Sequence, residues 1–88
     1  MNNYKIEFAK TFNKSILKLD KTTKKQIQSV IANFLSNAKN IDLIKLKGHQ
    51  NLYRIRSGDY RIIFQQCDEV LILTFIEVKH RKEVYKDY

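Results

Sequence analysis

Apolar and polar positions change their period along this chain. Tyr4, Ile6 and Phe8 alternate with Lys5 and Glu7, the pattern of a strand with one buried face. Phe12, Ile16 and Leu19 then fall at i, i+4 and i+7, which predicts a short amphipathic helix with Lys10, Asn13, Lys14 and Lys18 outside. Ile27, Val30, Ile31, Phe34 and Leu35 repeat at helical spacing and predict a second, longer helix. Asp20 either ends the first helix or caps the second, and Thr23 followed by Gln26 has the spacing of a capping box. The second helix should fade between Ser36 and Asn40, where Asn37 or Asn40 can take a left-handed terminal conformation. Two such apolar stripes in succession describe a helical hairpin laid across a sheet. The lysines on its outer side (Lys18, Lys21, Lys24, Lys25) read as a solvated face.

The second half changes to period two. Leu52 to Ser57 and Tyr60 to Gln65 alternate in type around Gly58-Asp59, a two-residue turn with glycine where φ > 0 is wanted. Facing Ser57 with Tyr60 puts Tyr53 opposite Phe64, Ile55 opposite Ile62 and Arg56 opposite Arg61. One side of the ribbon then carries Tyr53, Ile55, Tyr60, Ile62 and Phe64, and the other Arg54, Arg56 and Arg61. A further strand is expected from Val70 to about Val78, with Leu71, Leu73 and Phe75 on one face and Val70, Ile72, Ile76 and Val78 on the other. A strand apolar on both faces belongs in the middle of a sheet or is covered on both sides. Ile41 to Gln50 reads as a connector anchored by Leu43, Ile44 and Leu46, and Lys79 to Tyr88 as a terminal helical turn or two. The expected order is β-α-α-β-β-β-α: an α+β domain over residues 1–88, with an N-terminal strand, a helical hairpin, a three-strand antiparallel meander and a short C-terminal helix, the helices lying on one face of the sheet.

Charge sharpens this picture. The 17 Lys and Arg against 9 Asp and Glu give a net +8, which suits a polyanion or an acidic protein partner. Like charges facing each other on a sheet repel, so Arg56 opposite Arg61 has no packing rationale, whereas an anion held between them supplies one. The single cysteine, Cys67, excludes an internal disulfide framework and a multi-cysteine zinc site. His49 and His80 are isolated, no glycine-rich phosphate loop is present, and no nucleophilic triad has support, so neither a metal nor a cofactor is expected. No apolar run is long enough to span a bilayer and no secretory h-region opens the chain, which makes the cytoplasm the expected location and a membrane partner unexpected.

What remains is a basic cluster at the hairpin together with His80, Arg81 and Tyr85 after the last strand. Arginine binds phosphate with a planar fork, and tyrosine offers a ring for stacking or a hydroxyl for proton transfer. RNA cleavage without a metal uses the neighbouring 2′-hydroxyl as nucleophile; the protein orients it, neutralises the phosphate and moves protons.

At two blocks the chain resembles the RelE/ParE superfamily of type II toxins, in its RelE branch. One block runs from Lys45-Leu46-Lys47-Gly48 through Leu52-Tyr53-Arg54-Ile55-Arg56 and Gly58-Asp59-Tyr60-Arg61 to Ile62-Ile63-Phe64; the other is His80-Arg81-Lys82-Glu83-Val84-Tyr85. The resemblance implies a metal-independent endoribonuclease acting on mRNA in the ribosomal A site and held inactive by an acidic antitoxin. It implies phosphate and transition-state roles for Arg54, Arg56, Arg61 and Arg81, and a site role for Tyr85. Well-known members of the branch carry lysine where this chain has Arg54 and Arg56, and arginine is a poor general base. Proton transfer is therefore expected at His80, whose residue type titrates near neutral pH, or at Tyr85, with Glu77 as a third candidate. Two other readings stay open: a non-enzymatic toxin of the ParE kind that targets DNA gyrase, and a degenerate member that only binds antitoxin.

If the basic face works by phosphate neutralisation, the free protein binds single-stranded RNA weakly, with affinity falling steeply as salt rises. Fluorescence anisotropy across a salt series measures this. Binding that hardly changes between low and physiological salt contradicts the role given to the basic face.

Overall fold

A computed structural model describes residues 3–88, with the side chains of Tyr85 and Asp87 left outside the description. The elements run β1 (Lys5–Phe8), α1 (Lys10–Leu17), α2 (Lys21–Leu35), β2 (Leu43–Lys45), β3 (Leu52–Ser57), β4 (Tyr60–Cys67), β5 (Ile72–His80) and α3 (Arg81–Asp87). The strands form one sheet in the order β1-β5-β4-β3-β2. β1 pairs with β5 in parallel, and every other neighbouring pair is antiparallel. Among the described residues no helix is long and apolar enough to cross a membrane.

The α+β architecture and the meander are as expected, with one addition. The segment read as a connector contains β2, which pairs Leu43 with Ile55, Ile44 with Arg54 and Lys45 with Tyr53. Its apolar residues are not deep anchors: Leu43 and Ile44 are exposed. Three residues are too few to show a period, so β2 forms because β3 offers it a free edge.

The helix ends follow local chemistry. Asp20, not Thr23, is the N-cap of α2, and its Oδ1 accepts the Thr23 N–H at 2.8 Å. Thr23 is thus the capped position and not the cap, so the expected Thr23–Gln26 capping box does not form the start of the helix. Asn37 closes α2 with φ of 63°; the Ala38 N–H reaches the Asn33 carbonyl and the Asn37 N–H that of Phe34, a Schellman arrangement. α1 serves the sheet directly. β1 stops at Phe8 opposite Phe75, which leaves the second half of β5 without a neighbour on that side. The Thr11 hydroxyl donates to the Ile76 carbonyl, and the Val78 N–H donates to Ser15 Oγ at 3.0 Å. Two helix hydroxyls thereby satisfy backbone groups that a missing strand would have paired.

The core lies between the sheet and the α1–α2 hairpin. Phe64 is its centre, fully buried, with ring centroids 5.0 Å from Phe34, 5.3 Å from Tyr53 and 5.8 Å from Phe75. Burying a phenylalanine side chain of this kind stabilises by roughly 1.5–3 kcal/mol. α3 lies on the opposite side of the sheet, where Val84 is buried and shares a cleft with Arg54 and Arg61. Helices therefore occupy both faces, contrary to the one-face expectation.

β5 differs most from its expected form. It begins at Ile72 because Leu71 takes a left-handed conformation, φ 54°, that ends the ladder; Val70 and Leu71 sit exposed in the preceding turn. It also carries an irregularity: Ile63 faces Glu77 while the next residue, Phe64, faces Phe75, so Ile76 is an extra residue on β5. Plain alternation would put Phe75 and Val78 on opposite faces. The bulge brings both into the core and sends Glu77 and Lys79 to the other side.

Two exposed carboxylates titrate below their ordinary value. Asp20 is held down by the Thr23 side chain and N–H, and Asp68 by the Tyr4 phenol, then the Gln66 amide. A depressed carboxylate contributes stability that is present above its unfolded pKa, near 3.8 here, and lost as pH falls through the folded value. Thermal unfolding from pH 7 down to pH 2 should show this loss, and Asp20→Asn, which keeps the cap, should weaken the acid dependence with little change at pH 7. An acid limb identical to wild type in that variant contradicts the assignment.

Candidate active site

The hairpin has the expected register: Tyr53 faces Phe64, Ile55 faces Ile62, Arg56 faces Arg61 and Ser57 faces Tyr60. Gly58 turns it with φ of 59°. That turn also gathers the arginines. The Arg61 guanidinium folds back to donate from Nη1 to the carbonyls of Gly58 and Tyr60, each at 3.0 Å. The Arg81 N–H donates to the Asp59 carbonyl at 2.8 Å, and its Nε lies 3.8 Å from Asp59 Oδ1. One two-residue turn thus fixes an arginine from β4 and another from the start of α3.

Arg54, Arg61 and Arg81 line a cleft of about 260 Å³ walled by Ile44, Leu46, Val84 and Tyr88. A larger opening of about 520 Å³ lies between α1 and α2, but its lining is mostly apolar (Phe8, Phe12, Ile16, Leu17, Ile27, Ile31), with Asn13 and Gln28 as its polar residues and no cationic side chain. Three guanidinium groups make the arginine cleft the more cationic of the two.

Arg54 and Arg56 share a counter-ion within the protein. Asp42, just before β2, accepts from Arg54 Nη1 at 3.0 Å and lies 3.9 Å from Arg56 Nη1. Asp42 is a carboxylate in a position that a phosphate oxygen would favour. Its partners differ: the Arg54 side chain is 17% exposed, that of Arg56 56%. Arg56 does not line the cleft; it lines a separate opening with Gln26, Ser29 and Val30 of α2.

His80 does not join the arginines. Alternation along β5 pairs Lys79 with Arg61 and turns His80 toward Tyr60 on the α1–α2 side. Its ring meets the Tyr60 ring edge-on at 5.5 Å, and its Nδ1 accepts the Lys82 N–H at 3.3 Å as the N-cap of α3. The helix cap and the strand parity together fix this direction. The side chain of Tyr85 lies outside the described residues. Glu77 is on the cleft side, where it accepts a hydrogen bond from the Tyr88 hydroxyl and lies 3.8 Å from Lys79 Nζ.

Sequence reasoning missed Asp42, Lys79 and Tyr88. Lys79 could have been found by carrying strand parity back from His80 once the bulge was known. Asp42 depends on the pairing of β2, and Tyr88 on the path of α3 across the sheet. Among the described residues no group of three or more His, Cys, Asp or Glu side chains gathers to hold a metal ion.

Against known proteins, a family model described as the ParE toxin of the type II toxin–antitoxin system parDE matches residues 6–85. The chain belongs to this RelE/ParE superfamily of type II toxins. Toxin RelE3 of Methanocaldococcus jannaschii is 39% identical over 96% of this chain and 97% of its own length. The mRNA interferase toxin RelE of Escherichia coli is 31% identical over 96% and 92%. In the crystal structure of a RelB–RelE antitoxin–toxin complex from Methanococcus jannaschii, a chain with 32% identity superposes with a TM-score of 0.75, over 93% of this chain and 98% of that one.

Because Asp42 occupies two guanidinium groups, Asp42→Asn should strengthen binding of a short single-stranded RNA at low salt. An exposed ion pair contributes roughly 0.2–1 kcal/mol, so the gain should reach up to about fivefold. Equilibrium titration of the variant against wild type measures it; unchanged or weaker binding contradicts the stand-in role of Asp42.

Proposed function

We propose that this protein is the toxin of a type II toxin–antitoxin pair and an endoribonuclease that cuts mRNA in the ribosomal A site. The convergence of Arg54, Arg61 and Arg81 in one cleft carries this reading. The names of the relatives, RelE toxin and mRNA interferase, agree with it. The reaction is attack of the 2′-hydroxyl on the adjacent phosphorus, giving a 2′,3′-cyclic phosphate and a 5′-hydroxyl, with no metal needed. Arg61 and Arg54 hold the scissile phosphate. Arg81 stabilises the charge that grows on the pentavalent phosphorane and the leaving oxygen, where fixed positive charge counts most. Arg56, exposed outside the cleft, guides the neighbouring backbone. His80 caps α3 and so sets the position of Arg81. Acting on translating ribosomes, the protein works in the cytoplasm.

The partner is a cognate antitoxin, as in the RelB–RelE complexes of related proteins. With a net charge of +8 on this chain, an acidic segment laid over the arginine cleft would both bind and inhibit. A second reading draws on the family model, which bears the ParE description: the arginines would then be a protein contact surface on DNA gyrase, and supercoiling assays separate the two.

Single-turnover cleavage on ribosomes programmed with mRNA tests the nuclease reading. Arg61→Ala and Arg81→Ala should each slow cleavage by roughly a hundred- to a thousandfold, as loss of one transition-state donor does. Arg54→Lys should be tolerated, since it preserves charge and adds a titratable amine. Wild-type rates in both alanine variants, with folding intact, would contradict the reading.

A further inference from the structure

On the face of the sheet away from the arginine cleft, α1, α2 and the end of β1 frame the apolar opening of about 520 Å³. Its floor belongs to the core, where Phe12, Ile27 and Ile31 are buried. Its rim does not: Leu17 is 75% exposed and Phe8 49%. The Phe8 ring stacks on Phe75 at 5.4 Å and tilts against Phe12 at 5.2 Å, so this half-exposed ring is fixed by its neighbours. α1 packs on β5, and the backbones of α1 and α2 stand apart from each other. The result is a groove whose apolar rim stays in water, a cost that burial by a partner recovers.

The charge around the groove selects its occupant. From Lys10 to Leu35 the hairpin carries six lysines and one acidic residue, Asp20, which is engaged as the cap of α2. Residues three and four apart share a helix face. Lys10 and Lys14 therefore flank Asn13 and Leu17 along α1, and Lys24 flanks Ile27, Gln28 and Ile31 along α2. A second copy of this chain would bring the same lysines against these, and like charges oppose that pairing. RNA would satisfy the lysines but leave Phe8 and Leu17 in water. A helix with an apolar stripe and acidic flanks satisfies both, and a groove between two helices suits it.

We propose that the α1–α2 groove is a docking site for an acidic amphipathic helix of a protein partner, separate from the arginine cleft. Apolar side chains at i, i+3 or i+4, and i+7 of that helix cover Phe8, Leu17 and the floor between them. Glu or Asp on its flanks pair with Lys10, Lys14 and Lys24. Because the sheet lies between groove and cleft, a partner seated there leaves Arg54, Arg61 and Arg81 open to RNA. Docking of this kind requires neither the nuclease nor the gyrase reading.

Fluorescence anisotropy of a labelled synthetic peptide on the intact protein tests the groove. The probe is a peptide of about 18 residues, longer than the range in which isolated helices are marginal, with Leu at the stripe positions and Glu elsewhere. A second peptide carries Lys for Glu, and a third keeps the first one's composition with the stripe scrambled. The first should bind, and both others should bind at least about tenfold more weakly. Leu17 is exposed, so Leu17→Gln leaves the fold intact and should weaken the first peptide roughly tenfold, the loss expected for one leucine contact. Lys10→Glu together with Lys24→Glu, each in the first turn of its helix where an acid is tolerated, should weaken it too and flatten its salt dependence. Saturating peptide should leave binding of a short single-stranded RNA unchanged; displacement of that RNA would place the peptide in the arginine cleft and overturn the proposal. Equal binding of the first peptide by Leu17→Gln and wild type, or equal binding of the lysine peptide, would also overturn it. Dimerisation of the wild type that Leu17→Gln abolishes would assign the groove to a second copy instead. Cleavage on mRNA-programmed ribosomes should be the same in Leu17→Gln as in wild type, and its loss with folding intact would make the groove a ribosome contact.

Discussion

One extra residue in β5 decides which side chains share a face. With Ile76 set outside the pairing, Phe75 and Val78 both enter the core, and Glu77 and Lys79 emerge beside Arg61. Without it, the half of β5 that follows would be inverted: Val78 would leave the core, and His80 would turn toward the arginines. The bulge is held from the outside by α1, whose Thr11 and Ser15 hydroxyls take up the backbone groups of Ile76 and Val78. Fold and site are thus linked through contacts that involve no arginine.

The second constraint is the Gly58-Asp59 turn. Its carbonyls accept from Arg61 and from the first N–H of α3, so the hairpin and the last helix are tied at one point. Concentrating positive charge there is unfavourable in isolation, and Asp42 and Asp59 offset it with nearby carboxylates. Both are exposed enough to yield to a competing phosphate: Asp42 retains 47% of its side-chain exposure and Asp59 67%. A basic cleft with exposed internal counter-ions offsets its own charge repulsion and can exchange them for a polyanion. The same property suits inhibition by an acidic partner.

Much of this was legible in the chain. The hairpin register follows from period-two alternation around a glycine turn, and it held for each facing pair from Tyr53–Phe64 to Ser57–Tyr60. The left-handed stop at Asn37 was among the expected positions because the helical stripe runs out there. Three features were not legible, for one physical reason. β2, the bulge at Ile76 and the Asp42 contacts are set by what lies alongside them in space. The stretch Ile72 to Val78 carries no glycine or proline to mark the bulge at Ile76, and an uninterrupted alternation was the natural reading. That misreading also misdirected His80, whose face depends on the parity of the whole strand. Arg54, Arg61 and Arg81 came together as expected, since two follow from the hairpin and the third from the strand's end.

The central claim is that this arginine cleft acts on mRNA held by the ribosome. Primer extension on one transcript, translated and untranslated, with wild-type protein added to each, tests it most directly. The account predicts new 5′ ends within the reading frame only when ribosomes are translating it. No new ends on the translated message, or equal breakage of the naked transcript, would contradict it.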